Sequence, residues 1–217
     1  IITDLFTILW ILWVSNLLSW SNGIDGQFSG VAGLTALFIA ILALRLIPGD
    51  HNQIQTTRIA AIAAGAALGL TPATWNPCKM LWGFGATAVG LVLASLSVMT
   101  GSKVATATLV VMVPFLDAVA TIIRRVSLKK SPFWGDRGHL HHKLLDAGYS
   151  QPQIAILYWL ATGILGVVAV FTSGQVKTLA VMTLGILVAS LVVLTNLKGK
   201  IKIPQLLRRG EKDPTAI

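Results

Sequence analysis

"GYSQPQIAILYWLATGILGVVAVFTS" occupies Gly148 to Ser173. It holds a glycine stop, a helix-start signal and an uncharged apolar run, in that order. Gly148 suits the left-handed turn that ends a short helix. Ser150 and Gln153 form an S-x-x-Q capping box for the helix that follows. The run 152–173 is long enough to cross hydrocarbon, which takes about 20 mostly apolar residues. Such a helix belongs in lipid.

The rest of the chain agrees. Of 217 residues, 54% are hydrophobic and 12% charged, and mean hydropathy is +0.76. Soluble domains carry about 25% charged residues. Six further runs, 3–20, 29–48, 58–74, 81–100, 104–124 and 177–196, reach spanning length. The third contains Pro72 and is expected to break or tilt there. The fold class predicted is all-α, a polytopic membrane protein of about seven transmembrane helices. Residues 1–197 form the membrane domain and 198–217 a basic tail. Gly26/Gly30 and Gly65/Gly69 have the spacing that lets helix backbones approach closely. Cys78 is the only cysteine, which excludes an internal disulfide. Ile1 already lies within an apolar run, so the chain reads as the C-terminal part of something longer.

The net charge of +9 is unevenly placed. In a membrane protein this points to topology and membrane lipid, with no nucleic acid as partner. Alternating spans put thirteen Lys and Arg on one face and four on the other. The rich face is cytosolic by the positive-inside rule. It receives the connections near 20–28, 75–80 and 125–151, which are also the chemically unusual ones.

The last of these holds His139, His141 and His142 in "GDRGHLHHKLLDAGYS". A helix starting near His139 would put His139, His142 and Lys143 on one face, with Leu140 and Leu144 opposite. That cationic face suits a diphosphate, and Arg137 adds a bidentate donor. Two other readings stay open: a solvated basic connection, and a zinc site lacking an evident fourth ligand. Asp117 lies in "VPFLDAVATIIRR", where a carboxylate at mid-membrane costs roughly 2.5–3.5 kcal/mol. It either pairs with a basic residue such as Arg124, at i+7, or lines a polar cavity. In "NLLSWSNGIDGQ", Asn16, Ser19 and Asn22 recur at i, i+3 and i+6, and Asp25 follows in a glycine-flanked turn.

These pieces, in this order, resemble the polyprenyl-phosphate N-acetylhexosamine-1-phosphate transferases, bacterial membrane enzymes that start lipid-linked glycan synthesis. The HLHH of His139–His142, with Arg124-Arg125 and Asp136-Arg137 before it, is most similar to the O-antigen and teichoic-acid branch. The resemblance covers nearly the whole chain. It implies transfer of a phospho-sugar from a UDP-N-acetylhexosamine to polyprenyl phosphate, release of UMP, and a need for Mg2+. It also implies a multi-pass protein of the bacterial cytoplasmic membrane, active on the cytosolic face, and a homodimer. Asp25, Asp117 and His139 are the implied catalytic residues, with Asp25 also the metal ligand. Asn16, Asn22, Lys79, Arg124, Arg137, His139, His141 and His142 are the implied substrate-binding residues.

The departures are specific. The family's first connection reads N-x-x-N-x-x-D-G-x-D-G. Here Ser19 replaces the second Asn and Asn22 the first Asp. The family's N-x-P-A-K-x-F-M-G-D-x-G-S has Phe84 in place of its magnesium-binding Asp, and phenylalanine cannot ligate a hard cation. The family's upstream Asp-Asp pair is expected before Ile1. Two alternatives follow: a non-catalytic homologue, or a transporter or channel with Asp25 and Asp117 on an ion path.

Overall fold

The computed structural model describes residues 1–20, 22–100, 112–127, 129–131 and 138–172, with isolated helical positions between 175 and 190. The run 177–196, the start of the run 104–124, Arg137 and the tail 198–217 lie wholly or largely outside the described residues.

Every regular element among the described residues is helical: α1 (Ile2–Trp20), α2 (Gln27–Leu46), α3 (Gln53–Gly69), α4 (Thr71–Thr74), α5 (Gly85–Met99), α6 (Met112–Ser127), α7 (Leu140–Asp146) and α8 (Gln151–Phe171). Three of them, α1, α2 and α8, are long and apolar enough to cross a membrane, and α5 is a shorter apolar helix. The protein is an all-helical, polytopic membrane protein. The opening stretch folds as read. Gly148 sits at φ 94° after α7, and the Ser150/Gln153 capping box starts α8. Pro72 opens α4, and the third run breaks at Gly69–Leu70.

α2 lies at the centre, buried along most of its length against α3 and α8. It runs parallel to α8. Trp159 meets it near Gly30, Phe38 meets Gly166, and Arg45 donates to the Val170 carbonyl at 2.7 Å. α1 packs antiparallel on α5 through Trp10–Ser97 and Ser19–Thr87 hydrogen bonds, both 3.0 Å. The close backbone approach there is at Gly90, whose added Cβ would lie 2.8 Å from the Ser15 carbonyl oxygen. The glycine pairs flagged in the sequence do something else. Gly65 and Gly69 face open space, while Gly26 and Gly30 are approached by the indoles of Trp75 and Trp159.

This order leaves the α1–α2, α3–α5 and α6–α8 connections at one end of the bundle. Their contacts build the site.

Candidate functional site

The α1–α2 turn is the hub. Asp25 Oδ2 accepts from Asn76 Nδ2 at 3.0 Å and from the Cys78 backbone N–H at 3.1 Å. The Asp25 backbone N–H donates to Gln151 Oε1, at the start of α8, at 2.9 Å. One residue therefore ties together three connections that lie 51 and 126 positions apart in sequence. Gly26, at φ 76°, makes the turn into α2, and a side chain there would meet the Trp75 indole. Partial burial raises the Asp25 carboxyl pKa. Hydrogen bonds from Cys78, through thiol and backbone, and from Asn76 outweigh it, and Asp25 is held below the usual carboxylate value. The same contact pushes the Cys78 thiol upward, so it stays protonated as a donor.

Beside Asp25 opens a cleft of about 220 Å³, lined by Asn22, Phe28, Thr74, Cys78, Trp82 and neighbouring residues. Trp82 is fixed edge-on to Phe28 at 5.0 Å, and its indole donates to Ser29 Oγ at 2.9 Å. Asn22 lies past the end of α1 and lines the cleft. Asn16 does not: it is exposed, and its amide donates to the Leu12 carbonyl of its own helix at 2.7 Å. The stripe read at i, i+3 and i+6 therefore divides. Asn16 returns to its helix, Ser19 bonds Thr87, and only Asn22 reaches the cleft.

The histidines lie against the other side of the same turn. α7 begins at Leu140, one residue later than expected, so His139 is extended (φ −67°, ψ 153°) as its N-cap. That offset changes how the rings meet. His139 and His141 stack at 5.6 Å with planes 5° apart, and His141 and His142 lie 4.3 Å apart. His141 is not off the His139/His142 face as helical spacing predicts; it stacks on His139 and meets His142 with its plane tilted by 49°. It is 1% exposed and lies against Gly23, where a side chain would overlap its ring. His139 reaches Trp20 at 6.5 Å.

Asp117 takes its partners from this loop. Its Oδ2 lies 3.0 Å from His139 Nδ1, and its Oδ1 accepts the Leu140 backbone N–H at 2.6 Å. The buried carboxylate thus pairs with His139 and the Leu140 backbone rather than with Arg124 alone in its helix. Arg124, half-buried, packs against the Gly138 backbone, and Arg125 is buried. Lys79 is exposed, and its backbone N–H donates to the Ala73 carbonyl at 2.8 Å. Gln151, Gly23 and Trp20 were not legible as site residues, because nothing local in the sequence marks them. Asn76 and Cys78 lie in the Asn76-Pro77-Cys78-Lys79 stretch, where the family's N-x-P-A-K motif falls, and carried no assigned role.

Burial pushes the His141 pKa down to about 4; Asp117 opposes this, while His142 and His139 add to it. The unfolded chain, with a histidine pKa near 6.5, then binds the extra proton between pH 6.5 and 4. Stability is lost as pH falls through that window, by about 2 kcal/mol between pH 7 and pH 5. Denaturant unfolding in detergent should show this loss, and His141→Phe should remove it. An equal slope in both proteins would contradict the burial of a neutral imidazole.

Among the described residues, no cluster of three or more His, Cys, Asp or Glu is placed to hold a metal. Phe84 is 95% exposed, on the loop where the family's motif has its carboxylate. Asp25 is the carboxylate that lines the cleft.

Comparison with known proteins bears on the same loops. Residues 1–101 match the model of glycosyl transferase family 4. The decaprenyl-phosphate N-acetylglucosaminephosphotransferase of Mycolicibacterium smegmatis is 31% identical over 222 residues, covering 91% of this chain and 52% of that protein. Its Mycobacterium tuberculosis counterpart is 29% identical, with 91% and 52% covered. A phospho-N-acetylmuramoyl-pentapeptide-transferase of Limosilactobacillus reuteri is 29% identical, with 77% and 52% covered. The chain spans about half the length of the relatives it matches. The Asp25 turn and the Asn76–Cys78 loop fall inside the family match, and alignments over 91% of the chain take in the histidine loop. The sequence and the three loops that meet around Asp25 agree: this chain belongs to glycosyl transferase family 4.

Proposed function

We propose that the protein carrying this chain transfers a phospho-N-acetylhexosamine from a UDP-sugar to polyprenyl phosphate and releases UMP. The observation that carries the reading is the meeting of three distant connections around Asp25 and the histidine stack. Both substrates are anionic, and one of them is confined to the bilayer. A site at the ends of membrane helices, with histidines beside a cleft that Asn22 and Asp25 line, suits that pair. The relatives' names support the same chemistry, since each is a phosphosugar transferase acting on a lipid phosphate or a close counterpart.

An oxygen of the lipid phosphate attacks the β-phosphorus of the UDP-sugar. The bond from that phosphorus to the bridging oxygen breaks, and UMP departs with the electron pair. Asn22 and the Asp25 turn would hold the nucleotide end. His139, His142, Arg124 and Arg137 would hold the diphosphate and offset charge on the departing UMP. Lys79 stands at the rim.

Magnesium typically keeps several waters and takes one or two carboxylates plus substrate phosphates. Asp25, kept ionised by its hydrogen bonds, fits that pattern, and substrate phosphates and water would supply the remaining ligands. When bound, the ion supplies positive charge to the pyrophosphate. The asymmetry of Lys and Arg supports a cytosolic position for these loops, and the bacterial relatives support a bacterial cytoplasmic membrane.

Calorimetry with UDP-N-acetylglucosamine on the full-length protein in nanodiscs, with and without Mg2+, tests the grip. A His139→Ala/Arg137→Ala double variant should bind at least tenfold more weakly, a loss of about 1.4 kcal/mol or more. Unchanged affinity in a folded double variant would reduce the loop to a solvated basic connection.

A further inference from the structure

We propose that Asp117 is a positioning residue for His139: it holds the ring's Nδ1 as a hydrogen donor and so dedicates Nε2 to the anionic ligand. This rests on the reading of the histidine loop as a phosphate grip. The geometry that supports it is a carboxylate divided between two jobs.

A helix leaves its first backbone N–H groups without intrahelical partners. α7 has only seven residues, and its N-cap residue, His139, makes no side-chain bond to those groups. Asp117, arriving from α6, takes that role instead: its Oδ1 accepts the Leu140 N–H at 2.6 Å. Its Oδ2 is then left 3.0 Å from His139 Nδ1. An ionised carboxylate only accepts hydrogen bonds. Nδ1 must therefore carry the proton in that pair, whether the ring is neutral or charged.

Packing prevents the ring from escaping the arrangement. His141 lies flat against one face, and Trp20 is 6.5 Å from the ring centre. Rotation about the ring axis would break the Asp117 bond and swing an edge into the stack. The two side chains are 13% and 8% exposed, so water competes little for the contact. Nε2 lies on the opposite side of the ring from Asp117. It is the nitrogen left to accept a proton from a phosphate hydroxyl or to donate to a phosphate oxygen. The three imidazoles therefore differ in role. His139 carries the chemistry, and the buried His141 is its backing.

The test uses Asp117→Asn in the full-length protein, with 15N-labelled histidine in nanodiscs. Asparagine can still accept from Leu140 through its carbonyl oxygen, so α7 keeps its cap. Its amide then faces Nδ1 with a donor, and the ring must turn that nitrogen into an acceptor. The wild type should show a protonated Nδ1 on His139, and the variant an unprotonated Nδ1 with the proton on Nε2. Nε2 then carries a proton and can no longer accept one from a hydroxyl of the lipid phosphate, so turnover with polyprenyl phosphate should fall at least tenfold while the thermal midpoint stays near the wild-type value.

An unprotonated Nδ1 in the wild type overturns the proposal without recourse to any variant. So does a variant with a switched ring and full turnover. If the wild type shows the Nδ1 proton but binds no UDP-sugar, the transferase reading fails instead. Inorganic pyrophosphate, titrated in parallel, then decides the anion half of this assignment, which absence of binding overturns.

Discussion

Asp25→Ala should lower the kcat/KM of UMP release by on the order of 10²–10³, with the protein still folded in the membrane. Asp25 accepts two N–H bonds from the Asn76–Cys78 loop and anchors Gln151 through its own backbone. Alanine keeps the backbone bond but strips every carboxylate contact to Asn76 and Cys78. Hydrogen bonds to a charged group contribute roughly 1.5–3 kcal/mol each, and that loss falls on a loop rather than on the helix core. The cleft wall from Cys78 to Trp82 should loosen while α1, α2 and α8 stay packed. Asp25→Asn separates charge from shape: it can keep one acceptor oxygen, so its loop should hold better than its catalysis does. Steady-state kinetics with UDP-N-acetylglucosamine measures this directly. Wild-type kcat/KM in Asp25→Ala would remove the α1–α2 turn from the site.

Gly23→Val should cost about as much activity through a different route. A side chain at Gly23 would occupy the space of the His141 ring. That ring is 1% exposed and held between His139 and His142, so it cannot step aside. The turn must move away from α7, which separates the cleft from the histidine stack. Overpacking of this kind costs about 1–3 kcal/mol in stability. A displacement near 1 Å at a positioned site can cost about 10²-fold in rate. Gly65→Val is the control, since a side chain there meets open space; it should leave activity unchanged. Combining Gly23→Ala with His141→Ala should lose less than the two single losses together, because truncating the ring makes room for the new methyl. Strict additivity would mean that the two residues do not touch.

What the sequence revealed and what it concealed divide along the range of the forces involved. The boundaries of α8 were legible because Gly148, Ser150 and Gln153 act within a turn of one another. The break near Pro72 was legible for the same reason. The shared membrane face of the three connections followed from counting spans, since alternation is imposed by the bilayer and not by packing. The partners of Asp117 were not legible. A carboxylate in a helix pairs with whatever the fold brings to it, and a loop 22 residues on is no nearer in sequence logic than Arg124. The histidine stack was misread by a single residue. With His139 extended and α7 starting at Leu140, the spacing rule for a helix face no longer includes the first ring. Asn16 was misread because a polar stripe on a helix does not reveal whether its side chains reach outward or return to their own backbone. The close α1–α5 approach fell at Gly90, outside either of the flagged pairs, because which helix faces a glycine is a tertiary fact.

The central claim, that the loops around Asp25 form one phosphosugar-transfer site, is tested most directly by following a single phosphorus atom. The purified full-length protein would be given polyprenyl phosphate and UDP-N-acetylglucosamine labelled with 32P at the β-position. The label should pass into the organic-soluble lipid together with the sugar, with one unlabelled UMP released per transfer. Label recovered in water-soluble UDP with the sugar alone on the lipid, or no transfer to lipid in folded protein supplied with Mg2+, would contradict the account.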